Sequence, residues 1–226
     1  MRKKILELIT IKLLLTAVLF IASVFLFAVI ADEVVLENEK AFDDTVLNYL
    51  SFLSAPGFIT AMKFFTFFGS PGFLVPAYLI VIGYFFLKRK FRYGSDIAII
   101  GLTSFALMTV LKYIFHRQRP SLPVINDLAT YSFPSGHTLS SFIFCSILVF
   151  IIAHGKRKRL YKWIVSILLF LFAITIGISR IVLRAHYATD VTASFFLGIA
   201  WVISSLWILQ RLNRKYMVRK DLHQQK

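Results

Sequence analysis

The chain has 226 residues, 58% of them hydrophobic, with a net charge of +15 and a mean hydropathy of +0.75. Soluble domains are about 45–50% apolar, so an ordinary water-soluble globule is excluded. The charge does not point to a nucleic-acid partner, because 19 of the 26 Lys and Arg fall in four clusters, each abutting a long apolar run, the pattern of cytoplasmic membrane flanks.

In chain order the clusters are Arg2, Lys3, Lys4 and Lys12; then Lys88, Arg89, Lys90 and Arg92; then Lys156 to Arg159 with Lys162; and last Arg211, Arg214, Lys215, Arg219, Lys220 and Lys226. An apolar run of about 20 residues crosses a bilayer, and spans are expected near 11–31, 71–87, 95–115, 136–153, 162–180 and 190–210. The first follows MRKK like a signal peptide, but it is long and lacks a small-x-small cleavage site, so it reads as an anchor. It ends before the acidic DEVVLENEKAFDD, which belongs outside. Within segment 42–69, FITAMKFFTFFGS is apolar but short, contains Lys63 and runs into Gly-Ser-Pro-Gly. Making it a span would put KRKFR outside, so 42–68 is expected as one or two amphipathic helices on the outer interface. The expectation is an all-α polytopic membrane protein: six transmembrane helices, one domain over 1–226, both termini cytoplasmic. The lone Cys145 lies in an apolar run, forms no intrachain disulfide and reads as a core filler.

Seven basic residues lie outside the clusters, and Lys112, Arg117, Arg119, Arg180 and Arg184 fall in or near two outer loops. Cations are disfavoured there, which points to a multiply charged anion at the outer face. LKYIFHRQRP sets Lys112 and Arg119 seven residues apart, about two helical turns, so both can share a face if the helix persists. YSFPSGHTLSSF places Pro134, Ser135, Gly136 and His137 at the start of the fourth span, where free N–H groups and the helix dipole favour phosphate. ISRIVLRAHYATDVT sets His186 four residues from Asp190. A carboxylate on one imidazole nitrogen fixes the tautomer and frees the other to attack. His137 can then protonate the leaving oxygen. Taken singly, each feature also fits a capped helix or a structural hydrogen bond.

Lys112-x6-Arg119-Pro120, Pro134-Ser135-Gly136-His137 and Ser179-Arg180-x5-His186-x3-Asp190 together resemble the three-part signature of the type 2 phosphatidic acid phosphatase family, which shares its site with vanadium haloperoxidases. The signature covers residues 112–190. The resemblance implies that Lys112, Arg119 and Arg180 hold phosphate oxygens and that Ser135 and Gly136 add hydroxyl and backbone donors. His186 would form a phosphohistidine oriented by Asp190, with His137 as acid and then base. It also implies chemistry without a metal or other cofactor. Asp127 and Asp190 are the only carboxylates in the two loops, too few for a magnesium cage unless the acidic 32–44 stretch reaches over. His116, Arg117, Asn126, Asp127, Tyr131 and Arg184 remain without a role, as do His154 and His223.

The expected activity is hydrolysis of a lipid phosphate at the outer face of a cytoplasmic membrane, with the lipid tail left in the bilayer. Phosphatidylglycerophosphate and undecaprenyl pyrophosphate lead over phosphatidic acid and lipid A phosphates. Lipid-to-lipid phosphotransfer would use the same site. A non-catalytic lipid phosphate binder or transporter would not need two histidines.

Overall fold

The structure, a computed structural model, describes residues 2–37, 40–50, 55–125 and 130–224. Among these residues the chain forms helices and no strand: α1 (Arg2–Ala31) with a π-helical continuation (Asp32–Leu36), α2 (Ala41–Leu50), α3 (Pro56–Phe67), α4 (Pro71–Leu87), α5 (Phe91–Phe115), α6 (Gly136–His154), α7 (Arg159–Val182) and α8 (Ala188–Gln224). Six helical stretches are long and apolar enough to cross a membrane: Thr10–Val35, Pro56–Leu87, Phe91–Phe115, Gly136–His154, Arg159–Val182 and Ala188–Arg211. Apolar side chains cover the outside of the bundle as well as filling its centre, which suits lipid as the outer solvent. Leu13, Leu14, Ile21 and Phe25 of α1 are exposed, while Leu139, Ile143, Ala173 and Ile176 form a closed centre between α6 and α7.

One boundary differs from the sequence reading. The interfacial helices expected near 42–68 are present as α2 and α3, but α3 joins α4 in one apolar stretch. It lies along the C-terminal half of α7: Met62 packs with Val182 and Leu183, and the Phe65 and Phe68 rings sit 6.2 and 5.3 Å from Phe172. Lys63, which argued for the interface, stays on the exposed side of α3. The break between α3 and α4 is set by sequence: Gly69 and Ser70 interrupt the helix, and Pro71 restarts it at its first turn.

Ala31, Val34, Phe133 and Ala193 form one cluster, which sets the end of α1 against the start of α8 and the loop before α6. That loop is clamped by Phe133, which is fully buried and has its ring 5.7 Å from Phe27 and 5.1 Å from Phe115. The ends of α5 and α7 and the starts of α6 and α8 therefore meet at one end of the bundle. The start of α1, the end of α8 and the basic α4–α5 and α6–α7 turns lie at the other. Close approach of α6 and α8 depends on Gly198, where a Cβ would sit 2.6 Å from Phe142 Cδ1.

Candidate active site

Two left-handed residues shape the site. α5 stops at Phe115, where His116 adopts φ 49°, four residues before Arg119. The expectation that Lys112 and Arg119 share a helical face is therefore not met. They converge through the loop instead: Lys112 Nζ donates to the carbonyl of Tyr131 and, at 3.4 Å, to that of Ser132, while Arg119 Nη2 reaches the Tyr131 carbonyl at 3.4 Å. After α7, Arg184 at φ 51° folds the chain back, and the amides of Ala185 and His186 bond to the Arg180 carbonyl at 3.0 and 3.2 Å. His186 is thereby brought beside α7.

His186 is nearly fully buried, and its ring is held from both sides. Nδ1 lies 3.3 Å from Asp190 Oδ2, and Nε2 lies 3.2 Å from Arg119 Nη1. An ionised carboxylate only accepts and a guanidinium only donates. Nδ1 therefore carries the proton, and the Nε2 lone pair faces Arg119. Burial pushes the imidazole down to about 3 despite the opposing pull of Asp190, so the ring is neutral near pH 7. Arg119 is also anchored, by Nε to the Thr130 carbonyl at 2.7 Å and by Nη1 to the Ala185 carbonyl at 2.6 Å. Burial draws it below its ordinary value, partly offset by Asp190.

The other residues of the signature face the same space. His137, half-buried at the start of α6, feels the charges of Arg180, His186, Arg119 and Lys112. Arg180 is buried, with Nη1 2.6 Å from Thr66 Oγ1 of α3. Its Nε–H is buried with no acceptor among the described residues, a donor suited to an anion oxygen. Ser135 occupies the N-cap position of α6 as the motif predicts, but its hydroxyl meets Thr138 Oγ1 at 2.9 Å rather than a backbone N–H. Gly136 matters sterically, since a Cβ there would sit 2.6 Å from Met108 Sδ. Gly69, at the α3–α4 break, lies under His137: a Cβ would sit 2.8 Å from Ile176 Cγ2 and 3.0 Å from His137 Cβ. Ile176 is fully enclosed, so Gly69→Ala is expected to cost about 1–3 kcal/mol of stability and to lower kcat by displacing His137. Melting temperature and turnover in detergent check the two effects.

Sequence reasoning missed a second layer. Asp190 is fully buried and accepts from Arg117 Nη1 at 2.5 Å, from Tyr187 N at 2.9 Å and from the Ser132 hydroxyl. Arg117 also reaches Asp43 of α2 through Nη2 at 2.7 Å and lies 4.3 Å from the centre of the Tyr187 ring. Burial opposes its charge, but Asp190 and Asp43 outweigh it and hold Arg117 above its ordinary value. Asp43 in turn accepts from Thr189 N at 3.0 Å, in the first turn of α8, and from Thr189 Oγ1. The acidic 32–44 stretch thus reaches the site, but to an arginine and a helix start. His116 meets the Tyr131 ring edge-on, centroids 4.5 Å apart. Arg184 lines a separate polar pocket of about 220 Å³ with Asp44, Asn48 and Tyr187. Asn126 and Asp127 lie outside the described residues. A larger cavity, about 340 Å³, is lined by Arg92, Asp96 and Leu209 at the opposite end of the bundle.

The arrangement is a buried imidazole with a fixed tautomer, near three cations and a second histidine. It can hold a phosphoryl group and exchange it through nitrogen. Residues 93–214 match the PAP2 superfamily. Phosphatidylglycerophosphatase B of Bacillus subtilis (strain 168) is 29% identical over 179 residues, 78% of this chain and 88% of that protein. Among solved structures, the transmembrane PAP2 type phosphatidylglycerolphosphate phosphatase from Bacillus subtilis matches with a TM-score of 0.75 at 25% identity, over 87% of this chain and 96% of that one. Aquifex aeolicus LpxE matches with a TM-score of 0.58 at 26% identity, over 74% and 95%.

Proposed function

The chain belongs to the PAP2 superfamily, and from that membership we propose that it is a membrane-embedded lipid phosphate phosphatase whose leading substrate is phosphatidylglycerophosphate. The observation that carries the reading is the His186 ring, with Nδ1 on Asp190 and Nε2 against Arg119. An arriving phosphate takes over the Arg119 donor and leaves the Nε2 lone pair free at phosphorus. Lys112, Arg119 and Arg180 hold the phosphate oxygens, and the Ser135 hydroxyl and the Gly136 backbone N–H add to them. Nε2 attacks, the P–O ester bond breaks with its electron pair on the alcohol oxygen, and His137 delivers the proton. Water then attacks the phosphohistidine, His137 takes its proton, and the P–N pair returns to Nε2. The fixed cations supply the charge stabilisation that a metal gives elsewhere. The basic clusters at the remote end support a reading with both termini in the cytoplasm and the site on the outer side of the membrane. The likeness to phosphatidylglycerophosphatase B along most of its length supports the choice of substrate over undecaprenyl pyrophosphate.

The test is phosphate release by the purified protein in detergent, with EDTA present, from phosphatidylglycerophosphate, phosphatidic acid and a polyprenyl diphosphate. Release is expected to survive EDTA, to fall with vanadate and to be fastest on phosphatidylglycerophosphate. Fastest release from the polyprenyl diphosphate would replace the substrate, and loss with EDTA restored by magnesium would overturn the metal-free mechanism.

A further inference from the structure

We propose that Asp43 and Arg117 are positioning residues for the His186 nucleophile: Asp43 shares the Arg117 guanidinium, so that Asp190 keeps a net negative charge beside the imidazole. The inference rests on the phosphatase reading above. Arg117 forks between two buried carboxylates, Asp190 at 2.5 Å and Asp43 at 2.7 Å. With Arg117 alone, Asp190 would belong to a neutral pair and could do little for a ring gaining positive charge. The second carboxylate makes the three-residue group carry one net negative charge. When Nε2 bonds to phosphorus and Nδ1 keeps its proton, the ring becomes cationic, and that negative charge lies one hydrogen bond away. Burial keeps the interaction from being screened by solvent.

Asp43 also fixes position. Its Oδ1 accepts Thr189 N at 3.0 Å, which supplies the carboxylate favoured at a helix N-terminus from a different helix. The next residue is Asp190, so α2 holds the turn that presents the carboxylate to His186. Asp43 and Arg117 bond to each other and to Asp190 and Thr189, so they act on His186 through Asp190.

The test compares Asp43→Asn, the double variant Asp43→Asn with Arg117→Gln, and wild type on the same lipid phosphate. Outer partners of oriented histidines are worth about 10–100-fold in activity in metal sites, and Asp43→Asn is expected to lower kcat within that range with KM near wild type. The double variant restores the net charge of the group, and its new side-chain amide at position 117 keeps an N–H for Asp190, so kcat is expected to rise back toward wild type. A merely structural role would make the double variant worse. Asp43→Asn with kcat within about twofold of wild type, the scatter of independent sites, would overturn the inference, as would a folded double variant slower than the single one. Where Asp43→Asn is not recovered as a monodisperse species, the double variant alone decides. A wild-type protein that releases no phosphate from any lipid sinks the functional reading itself, whatever the variants do.

Discussion

His186→Ala is expected to lower kcat by about 10⁴–10⁶-fold, the range seen when a covalent nucleophile is removed, with the protein still folded and still binding vanadate through its cations. Wild-type enzyme quenched during turnover should carry acid-labile, alkali-stable phosphate, and the variant none. Activity within about tenfold of wild type would remove His186 from the reaction. The buried ring also ties stability to pH. Its folded value is about 3, against about 6.5 in an unfolded chain. Between these values the unfolded chain binds the proton and the native one does not, so stability falls as pH drops below about 6.5, by up to about 1.4 kcal/mol per pH unit. His186→Ala should melt with a smaller difference between pH 5 and pH 7 than wild type, which thermal scans in detergent measure.

What could be read from sequence depends on the range of the interaction. The six spans follow from local apolarity and from basic clusters that alternate along the chain, and both are properties of neighbouring residues. The signature is similar, because His186 and Asp190 meet through one turn at the start of α8. Lys112 and Arg119 were legible as a pair but not as geometry, since the left-handed turn at His116 is set by the loop packing around Phe133 and Tyr131. α3 looked interfacial because its composition is mixed, and only its packing on Phe172 and Val182 draws it into the bundle. Asp43 carried no signal beyond its place in the acidic 32–44 stretch. It is 74 residues from Arg117 and 146 from Thr189, and an aspartate at the start of a short polar helix reads as solvated. Burial of both carboxylates around one guanidinium exists only in three dimensions.

Asp190→Asn should cost about 10⁴-fold in kcat, the scale on which a wrong imidazole tautomer disables a catalytic histidine. The reason is the donor count. In the native site both carboxylate oxygens only accept: Oδ1 from Arg117, and Oδ2 from His186, Tyr187 N and the Ser132 hydroxyl. An amide has one oxygen and one NH₂, so one side must set donor against donor. If NH₂ faces His186, Nδ1 becomes the acceptor, Nε2 takes the proton and the nucleophile is gone. If NH₂ faces Arg117, a buried hydrogen bond is lost. Breaking an isolated buried ion pair costs about 3–5 kcal/mol, but Asp43 still neutralises Arg117 here, so the loss of stability should be the about 1–3 kcal/mol of an unmet buried donor. The two numbers separate the roles: a large fall in kcat, with a modest fall in melting temperature and KM near wild type. An Asp190→Asn protein that turns over at the wild-type rate would mean that the tautomer of His186 is fixed by something other than this carboxylate.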